Sequence, residues 1–120
     1  MTHILIIEDD LLVALDVEGC LEEMGAVSTA LASSEDRAVK MALERRPDLM
    51  TSDVRLAQGH GPEAVRRIVE HYGPIPTLYI TGNPEAVKKD HPDAQILVKP
   101  YRWADLGDAA KALGLAGSAA

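Results

Sequence analysis

Charged residues follow three apolar segments of this chain, at positions where they could share one site. They are Glu8, Asp9 and Asp10 after segment 4–7, Asp53 after segment 49–52, and Lys99 after segment 96–98. A fourth apolar segment ends at the hydroxyl of Thr81. Carboxylate oxygens are typical ligands of Mg2+, and a lysine and a hydroxyl can contact the oxygens of a phosphoryl group. These residue types therefore indicate a site for a hard cation and a phosphoryl group.

The carboxylates of such a site repel one another strongly. Two carboxylates about 4 Å apart repel by roughly 4 kcal/mol at an effective dielectric constant near 20. A domain of this size is stable by only about 5–15 kcal/mol in total, and a bound divalent cation would offset the repulsion. The alternative is an acidic loop solvated at the surface, but the distribution of the charged residues over three segments favours the metal site.

Short apolar runs alternate with helix-like patterns along the whole chain. We predict strands at 3–7, 27–31, 49–52, 76–81 and 95–98. We predict helices at 11–24, from a cap at Ser33 or Ser34 to about 45, at 62–72, at 84–91 and at 103–113. The packed domain is expected to span residues 1–113. A flexible tail, 114–120, is expected to follow it, with no output domain after the last helix.

This alternation predicts an α/β fold of the (βα)5 type. Right-handed crossovers place helices on both faces of a five-stranded parallel sheet. The common doubly wound, flavodoxin-like strand order is 2-1-3-4-5, and ligands bind outside the carboxyl ends of the strands at the switch point between strands 1 and 3. The acids that follow strand 1 and Asp53 after strand 3 are therefore expected to meet there.

Composition limits the classes of function. The chain has 120 residues and a net charge of −7, and an acidic chain without a basic stripe is not expected to bind nucleic acid directly. No apolar stretch approaches the length of a membrane span and no signal peptide opens the chain, so we expect no membrane association. The single cysteine, Cys20, excludes an internal disulfide and fits a reducing cytoplasm, where we expect it to be a buried, inert thiol.

The order of these motifs resembles the receiver domain of bacterial two-component response regulators over essentially the whole chain. The matching residues are Glu8 and Asp9 after strand 1, Asp53 after strand 3, Gly61 eight residues later, Thr81 ending strand 4, and Lys99 with Pro100 ending strand 5. The run Tyr-Ile-Thr-Gly at 79–82 is similar to the motif of a single-domain subgroup, the FATGUY regulators. That resemblance implies a link with histidine kinases of the HWE type.

The resemblance assigns a role to each matching residue. It implies that Asp53 is the phosphoacceptor, Asp9 a direct Mg2+ ligand, Glu8 a ligand through water, the backbone carbonyl of Arg55 a further ligand, Thr81 a hydroxyl that reaches the phosphoryl group, and Lys99 its counter-ion. It also implies a cis peptide bond between Lys99 and Pro100. Two positions depart from the family pattern: Ile96 replaces the usual aromatic residue of strand 5, and Ala57 replaces a common proline.

Several neighbouring residues have alternative interpretations. Asp10 could cap the first helix or assist the metal. Asn83 could contact the phosphoryl group or serve only as a turn residue before Pro84. The side chain of Arg55 is expected to be solvated, and His60 is expected to be a surface residue without a phosphorelay role.

The resulting hypothesis is a single-domain response regulator that accepts a phosphoryl group from a histidine kinase or a histidine phosphotransfer protein. It would act as a signalling switch on a downstream protein, as a monomer or weak dimer, and not as an enzyme. The alternative is a phosphate sink or relay intermediate with no output of its own. A covalent phosphatase is disfavoured, because the haloacid-dehalogenase type needs an aspartate where this chain has Arg55. A flavodoxin-like cofactor binder would need a glycine-rich phosphate loop after strand 1.

Overall fold

The structure is a computed structural model that describes residues 2–26 and 28–115. Its strands are β1 (His3–Ile7), β2 (Ser28–Ala32), β3 (Leu49–Ser52), β4 (Thr77–Thr81) and β5 (Gln95–Val98). Its helices are α1 (Leu11–Glu23), α2 (Glu35–Glu44), α3 (Gly61–Tyr72), α4 (Pro84–Lys88) and α5 (Trp103–Ala112). The elements alternate as predicted, and most of the predicted ends lie within one residue of those observed.

The five strands form one parallel sheet in the order β2-β1-β3-β4-β5, which confirms the predicted fold class. In the register between β1 and β3, Ile7 is paired with Ser52. The residues that follow these two, Glu8 and Asp53, therefore leave the sheet side by side at its carboxyl edge. This edge is the switch point, since the chain continues from β1 to β2 on one side and from β3 to β4 on the other.

Alternate residues of each strand point into two separate cores. Leu5, Ile7, Met50 and Tyr79 face one side, where they pack with α2, α3 and Val87 of α4. The other core contains residues of β1, β3 and β4 that pack against α1 and α5; they include Ile4, Ile6, Leu49, Leu78, Ile80, Val17, Cys20, Leu21 and Leu106. Cys20 is buried, as predicted. The central strands are therefore covered on both faces, which explains why nearly all of their residues are buried and most are apolar.

The structure corrects three sequence predictions. Helix α4 ends at Lys88 rather than at 91, because the amides of Asp90 and His91 both turn back to the carbonyl of Val87 and Pro92 follows. Strand β2 extends to Ala32, one residue beyond its predicted end, and Val27, its predicted start, lies outside the described residues.

The third correction concerns the predicted tail. Leu115 belongs to the segment predicted to be flexible, but it is 2% exposed, lies in the core beside α1 and α5, and donates its amide to the carbonyl of Ala110. Packing of this one apolar side chain extends the ordered domain past α5. The rest of the predicted tail, 116–120, lies outside the described residues.

Among residues 2–26 and 28–115, no helix combines the length and the apolar character that crossing a membrane demands. The longest, α1, has 13 residues, whereas a span needs about 20.

Gly61 lets α3 begin directly against the end of β3. Its amide donates to the carbonyl of Val54 at 2.8 Å. A Cβ atom at this position would overlap the carbonyl oxygen of Asp53 and the Oγ of Ser52. Both neighbours belong to the strand end that carries the candidate site, and Asp53 contributes backbone atoms that have no room to retreat.

We therefore expect Gly61→Ala to lower the free energy of unfolding by about 2–3 kcal/mol, because overpacking against backbone outweighs the better helix propensity of alanine. Chemical denaturation of the two proteins measures the difference. The matched control is Gly82→Ala, since a Cβ at Gly82 meets nothing within 4 Å, and it should change stability by less than about 0.5 kcal/mol. Equal stability of the two variants would contradict the steric role of Gly61.

Candidate metal and phosphoryl-acceptor site

Three carboxylates converge at the carboxyl edge of the sheet. Glu8 and Asp9 follow β1, Asp53 follows β3, and one oxygen from each lies within 4.8 Å of the others. The backbone fixes this arrangement: the amide of Asp53 donates to the carbonyl of Ile7 at 2.9 Å, and the amide of Glu8 donates to Ala32 at 2.9 Å. The structure therefore brings together the three acidic side chains that the sequence nominated as metal ligands.

Lys99 reaches the same cluster from β5. Its Nζ lies 3.1 Å from Oδ2 of Asp53 and 3.4 Å from Oε1 of Glu8. Its amide donates to the carbonyl of Thr81 at 2.9 Å, which extends the β4–β5 ladder by one residue. The peptide bond to Pro100 is cis, as the resemblance implied. The lysine thus offsets part of the negative charge of two carboxylates that come from different strands.

The two acids after β1 have pKa values shifted in opposite directions by their surroundings. Burial raises the pKa of Glu8 to about 7; hydrogen bonding with Asp9 and the charge of Asp53 add to this effect, while the amide of Asp10 and the charge of Lys99 oppose it. The hydrogen bond with Glu8 lowers the pKa of Asp9, and the amide of Ala57 acts in the same direction. Without a cation, Glu8 is therefore partly protonated at neutral pH.

Lys99 remains charged in this pocket. Burial alone lowers its pKa, but the hydrogen bond that Lys99 donates to Asp53 and the charges of Glu8 and Asp53 outweigh burial, so that the pKa is raised. A lysine held in its charged form is suited to contact an anionic oxygen as a point charge.

Thr81 ends β4 beside an open cleft of about 400 Å³. The cleft is lined by Asp53, Val54, Arg55, Thr81, Gly82, Asn83, Ala86 and Lys99. The Oγ1 of Thr81 accepts a hydrogen bond from the amide of Asn83 at 3.0 Å, and Oδ1 of Asp53 accepts one from the amide of Val54 at 2.7 Å. The carboxylate of Asp53, the hydroxyl of Thr81 and the ammonium of Lys99 thus line one space.

The structure bears on several alternatives that the sequence left open. Asp10 caps α1, since its Oδ1 accepts hydrogen bonds from the amides of Leu12 and Val13. Asn83 precedes α4 without a side-chain cap. The side chain of Arg55 is exposed at the cleft, and His60 is exposed where α3 begins. Asp10 therefore caps α1, and Asn83 and Arg55 line the same cleft as Asp53, Thr81 and Lys99.

Sequence reasoning missed the residues that hold the loop 54–60, which connects β3 to α3. Glu35 on α2 accepts a hydrogen bond from the amide of His60 at 3.1 Å, and Arg67 on α3 pairs with Glu35 at 2.9 Å. An acidic residue in the first turn of a helix is ordinary. No local pattern in the sequence could therefore have connected Glu35 with a loop 25 positions further along.

The donor set fits a magnesium ion. The three side chains offer only oxygen ligands, and their mutual distances allow one ion to contact more than one of them. Mg2+ characteristically binds one or two carboxylates and fills its remaining positions with water and phosphate oxygens. The hydrogen bonds already made by these carboxylates leave lone pairs free on each of them.

Comparison with known proteins gives a consistent result. The family model described as response regulator receiver domain matches residues 4–111. The chain is 36% identical over 109 residues to the phyllosphere-induced regulator PhyR of Methylorubrum extorquens, an alignment that covers 88% of this chain and 40% of PhyR. It is 30% identical over 107 residues to the transcriptional regulatory protein PdtaR of Mycobacterium tuberculosis, covering 87% of this chain and 52% of PdtaR. The chain thus spans about half or less of these curated relatives.

Solved structures show the same similarity in three dimensions. The response regulator PhyR from Brucella abortus matches with a TM-score of 0.80 at 29% identity, over 95% of this chain and 47% of that one. The chemotaxis protein CheY4 of Vibrio cholerae matches with a TM-score of 0.83 at 23% identity, over 94% and 98% of the two chains. At that lower identity, the likeness to CheY4 concerns the fold alone.

The raised pKa of Glu8 predicts an unusual dependence of stability on pH in metal-free buffer. Between the ordinary value of 4.5 and the folded value of about 7, the folded chain binds more protons than the unfolded chain. Stability from this group is therefore present at pH 4.5 and lost as the pH rises through 7, by up to about 3 kcal/mol. The lowered pKa of Asp9 acts only near or below its ordinary value of 3.8, outside this range.

Chemical denaturation in the presence of a chelator, at pH 5.5 and pH 8, measures this effect. Glu8→Gln provides the control, because every other titrating group is retained. We expect the variant to gain stability relative to the parent chain as the pH rises. A constant difference between the two proteins over this range would show that the carboxyl of Glu8 has an ordinary pKa.

Proposed function

The chain belongs to the family of response regulator receiver domains of two-component systems, and from that premise we propose that it accepts a phosphoryl group on Asp53 with the help of Mg2+. The observation that carries this proposal is the position of Asp53. Its carboxylate lies within reach of two further carboxylates and of the Nζ of Lys99, on the wall of an open cleft. An aspartate so placed is open to a donor and is surrounded by groups that can balance the charge of a phosphate.

The residues that would hold the ion are Asp9, Asp53, Glu8 through water, and the backbone carbonyl of Arg55. When bound, Mg2+ would neutralise the charge that accumulates where a phosphoryl group meets several carboxylates. The same carboxylates would then no longer repel one another, so that the fold and the site would be stabilised together.

In the proposed transfer, a carboxylate oxygen of Asp53 attacks the phosphorus of a phosphohistidine. An O–P bond forms, the P–N bond breaks, and the histidine nitrogen keeps the electron pair of the broken bond. Oδ2 faces Lys99 and Oδ1 is held by the amide of Val54. The carboxylate therefore has a fixed orientation before the donor arrives, which is the main contribution a protein makes to this reaction.

The donor that we propose is a histidine kinase, of the HWE type by the similarity of residues 79–82 to FATGUY regulators, or a histidine phosphotransfer protein. The target would be another protein. A PhyR of Bartonella quintana, 31% identical to this chain, is described as an anti-anti-sigma factor. That name denotes an effect on another protein, and we propose an output through protein contact for this chain, as a monomer or weak dimer.

The transfer is tested with acetyl phosphate as a small phosphodonor. We expect mass spectrometry to find one added phosphoryl group in the presence of Mg2+ and none in the presence of a chelator. Asp53→Asn should abolish the addition, because an amide oxygen is not an adequate nucleophile. Asp93→Asn, at an exposed position, should leave it unchanged. Phosphorylation that survives the Asp53 substitution would identify a different acceptor.

The phosphoryl group would be sensed by Thr81. Its hydroxyl accepts a hydrogen bond from the amide of Asn83, and it would have to reorient to donate to a phosphoryl oxygen. The segment that follows is weakly held, since α4 has five residues and Val87 is its one buried side chain. Lys99, which contacts Asp53, is joined to the carbonyl of Thr81. Reorientation of the hydroxyl is therefore expected to draw the loop 82–83 and α4 into a more ordered position.

Position 96 carries isoleucine instead of an aromatic residue, so a movement of Thr81 must reach the surface by a different route. Ile96 is paired with Tyr79 in the sheet, and Tyr79 stacks on His91, with ring centroids 6.3 Å apart. The segment after α4 is thus connected to the sheet through the ring of Tyr79. This contact, rather than a gated side chain on β5, is positioned to relay a movement of Thr81 to the surface.

Hydrogen exchange with and without beryllium fluoride and Mg2+ tests this proposal. We expect rapid exchange at 82–91 in the free chain and protection within 82–101 when the phosphate mimic binds. Asp53→Asn, which should not bind the mimic, serves as the control. Protection limited to the other helices, with 82–101 unchanged, would argue against a switch and favour the phosphate sink.

A further inference from the structure

The loop 54–60 contributes backbone atoms to the candidate site. Asp9 accepts a hydrogen bond through Oδ2 from the amide of Ala57 at 2.6 Å. Arg55, whose carbonyl is the proposed metal ligand, is bridged to His60 across the loop, and Leu56 donates its amide to the carbonyl of Gly59 at 3.3 Å. The loop is therefore a small hairpin, so that a displacement at its far side would be transmitted to Asp9 and to the carbonyl of Arg55.

Glu35 holds the side of this loop that faces away from the acidic cluster. Its Oε1 accepts a hydrogen bond from the amide of His60 at 3.1 Å, and its own amide donates to the carbonyl of Gln58 at 3.1 Å. Glu35 thus accepts one hydrogen bond from the hairpin and donates another to it, and together they fix the position of the hairpin on α2. The side chain of Glu35 is only 19% exposed, which strengthens these hydrogen bonds relative to a solvated position.

Arg67 fixes the carboxylate of Glu35 in turn. Its Nη1 lies 2.9 Å from Oε2 of Glu35 and 2.9 Å from Oδ1 of Asp36. The first contact leaves Oε1 of Glu35 to accept the amide of His60. Since Arg67 belongs to α3 and Glu35 to α2, the hairpin is held by both helices that cover this face of the sheet.

Gly59 makes room for this contact. It adopts a φ of +95°, and a Cβ there would lie 2.5 Å from the Cβ of Glu35 and 2.8 Å from its Oε1. The turn of the hairpin and the side chain of Glu35 are therefore in direct steric contact. A larger residue at 59 would separate them.

We propose that Glu35 is a positioning residue for the magnesium site, acting through the hairpin 54–60. It touches neither the ion nor the phosphoryl group. It holds the amide of His60 and the carbonyl of Gln58, so that the opposite side of the hairpin presents the Arg55 carbonyl and the Ala57 amide to the site. This inference rests on the proposed Mg2+ function, and the experiment below separates the two.

Calorimetric titration with MgCl2 measures the effect in the full chain. Partners behind a first ligand commonly change metal affinity by 10–100-fold, and we expect Glu35→Ala to weaken Mg2+ binding by about tenfold. Glu35→Gln keeps an oxygen acceptor for His60 and should weaken binding less. The matched control is Asp36→Ala. This substitution removes the same charge at the neighbouring position, and Asp36, like Glu35, contacts Arg67. Asp36 differs in that its side chain is 90% exposed and makes no hydrogen bond to the loop.

Two further measurements distinguish positioning from a general loss of structure. In metal-free protein, 15N NMR should show faster amide exchange at His60 and Ala57 in Glu35→Ala, with the sheet amides unchanged. The initial rate of phosphorylation by acetyl phosphate should fall at low Mg2+ and recover at saturating Mg2+, because the acceptor itself is intact.

Each outcome bears on the proposal. Weaker Mg2+ binding and local exchange in Glu35→Ala, with parental values in Asp36→Ala, support it. Parental affinity in Glu35→Ala, or equal weakening in both variants, overturns it and leaves the proposed function intact. A parent chain that binds no Mg2+ at millimolar concentrations overturns both.

Discussion

Mutual repulsion among Glu8, Asp9 and Asp53 is the constraint on which the rest of this structure depends. The parallel sheet brings strand ends from distant parts of the chain to one edge, and three of the side chains there are acids. Lys99 supplies one compensating charge from β5, and the raised pKa of Glu8 lowers the charge further in the absence of a cation. Both responses are incomplete, and the negative charge that remains is what the proposed Mg2+ ion would neutralise.

The two halves of the site differ in how firmly they are held. On the acid side, β1 and β3 are buried along their whole length, Gly61 packs against the carbonyl of Asp53, and Glu35 fastens the connecting loop. This rigidity suits an acceptor whose oxygens must have a defined orientation before a donor arrives. If Mg2+ binds as proposed, its binding would depend on α2 and α3, although neither helix supplies a ligand.

The other half of the site is more loosely held. Strand β5 is partly exposed along its length, and α4 consists of five residues with one buried side chain. Such a segment has few contacts to lose when it moves, so a local change at Thr81 can alter it at small cost in free energy. The stacking of Tyr79 on His91 adds a contact between β4 and the turn that follows α4, beside the buried Val87. A rigid acceptor beside a compliant segment is the arrangement that a phosphorylation-dependent switch requires.

The amino-acid sequence by itself determined the order of the elements, the topology of the sheet and the residues gathered at its carboxyl edge. These follow from local periodicity together with the handedness of crossovers, which apply to any chain of this pattern. Only the tertiary structure decided which atoms meet. The pairing of Lys99 with two carboxylates, the raised pKa of Glu8 and the capping role of Asp10 depend on distances that no local pattern contains. The same holds for the attachment of the loop by Glu35, the early end of α4 and the burial of Leu115, because each results from packing between segments that are distant in sequence or from turns that compete with a short helix.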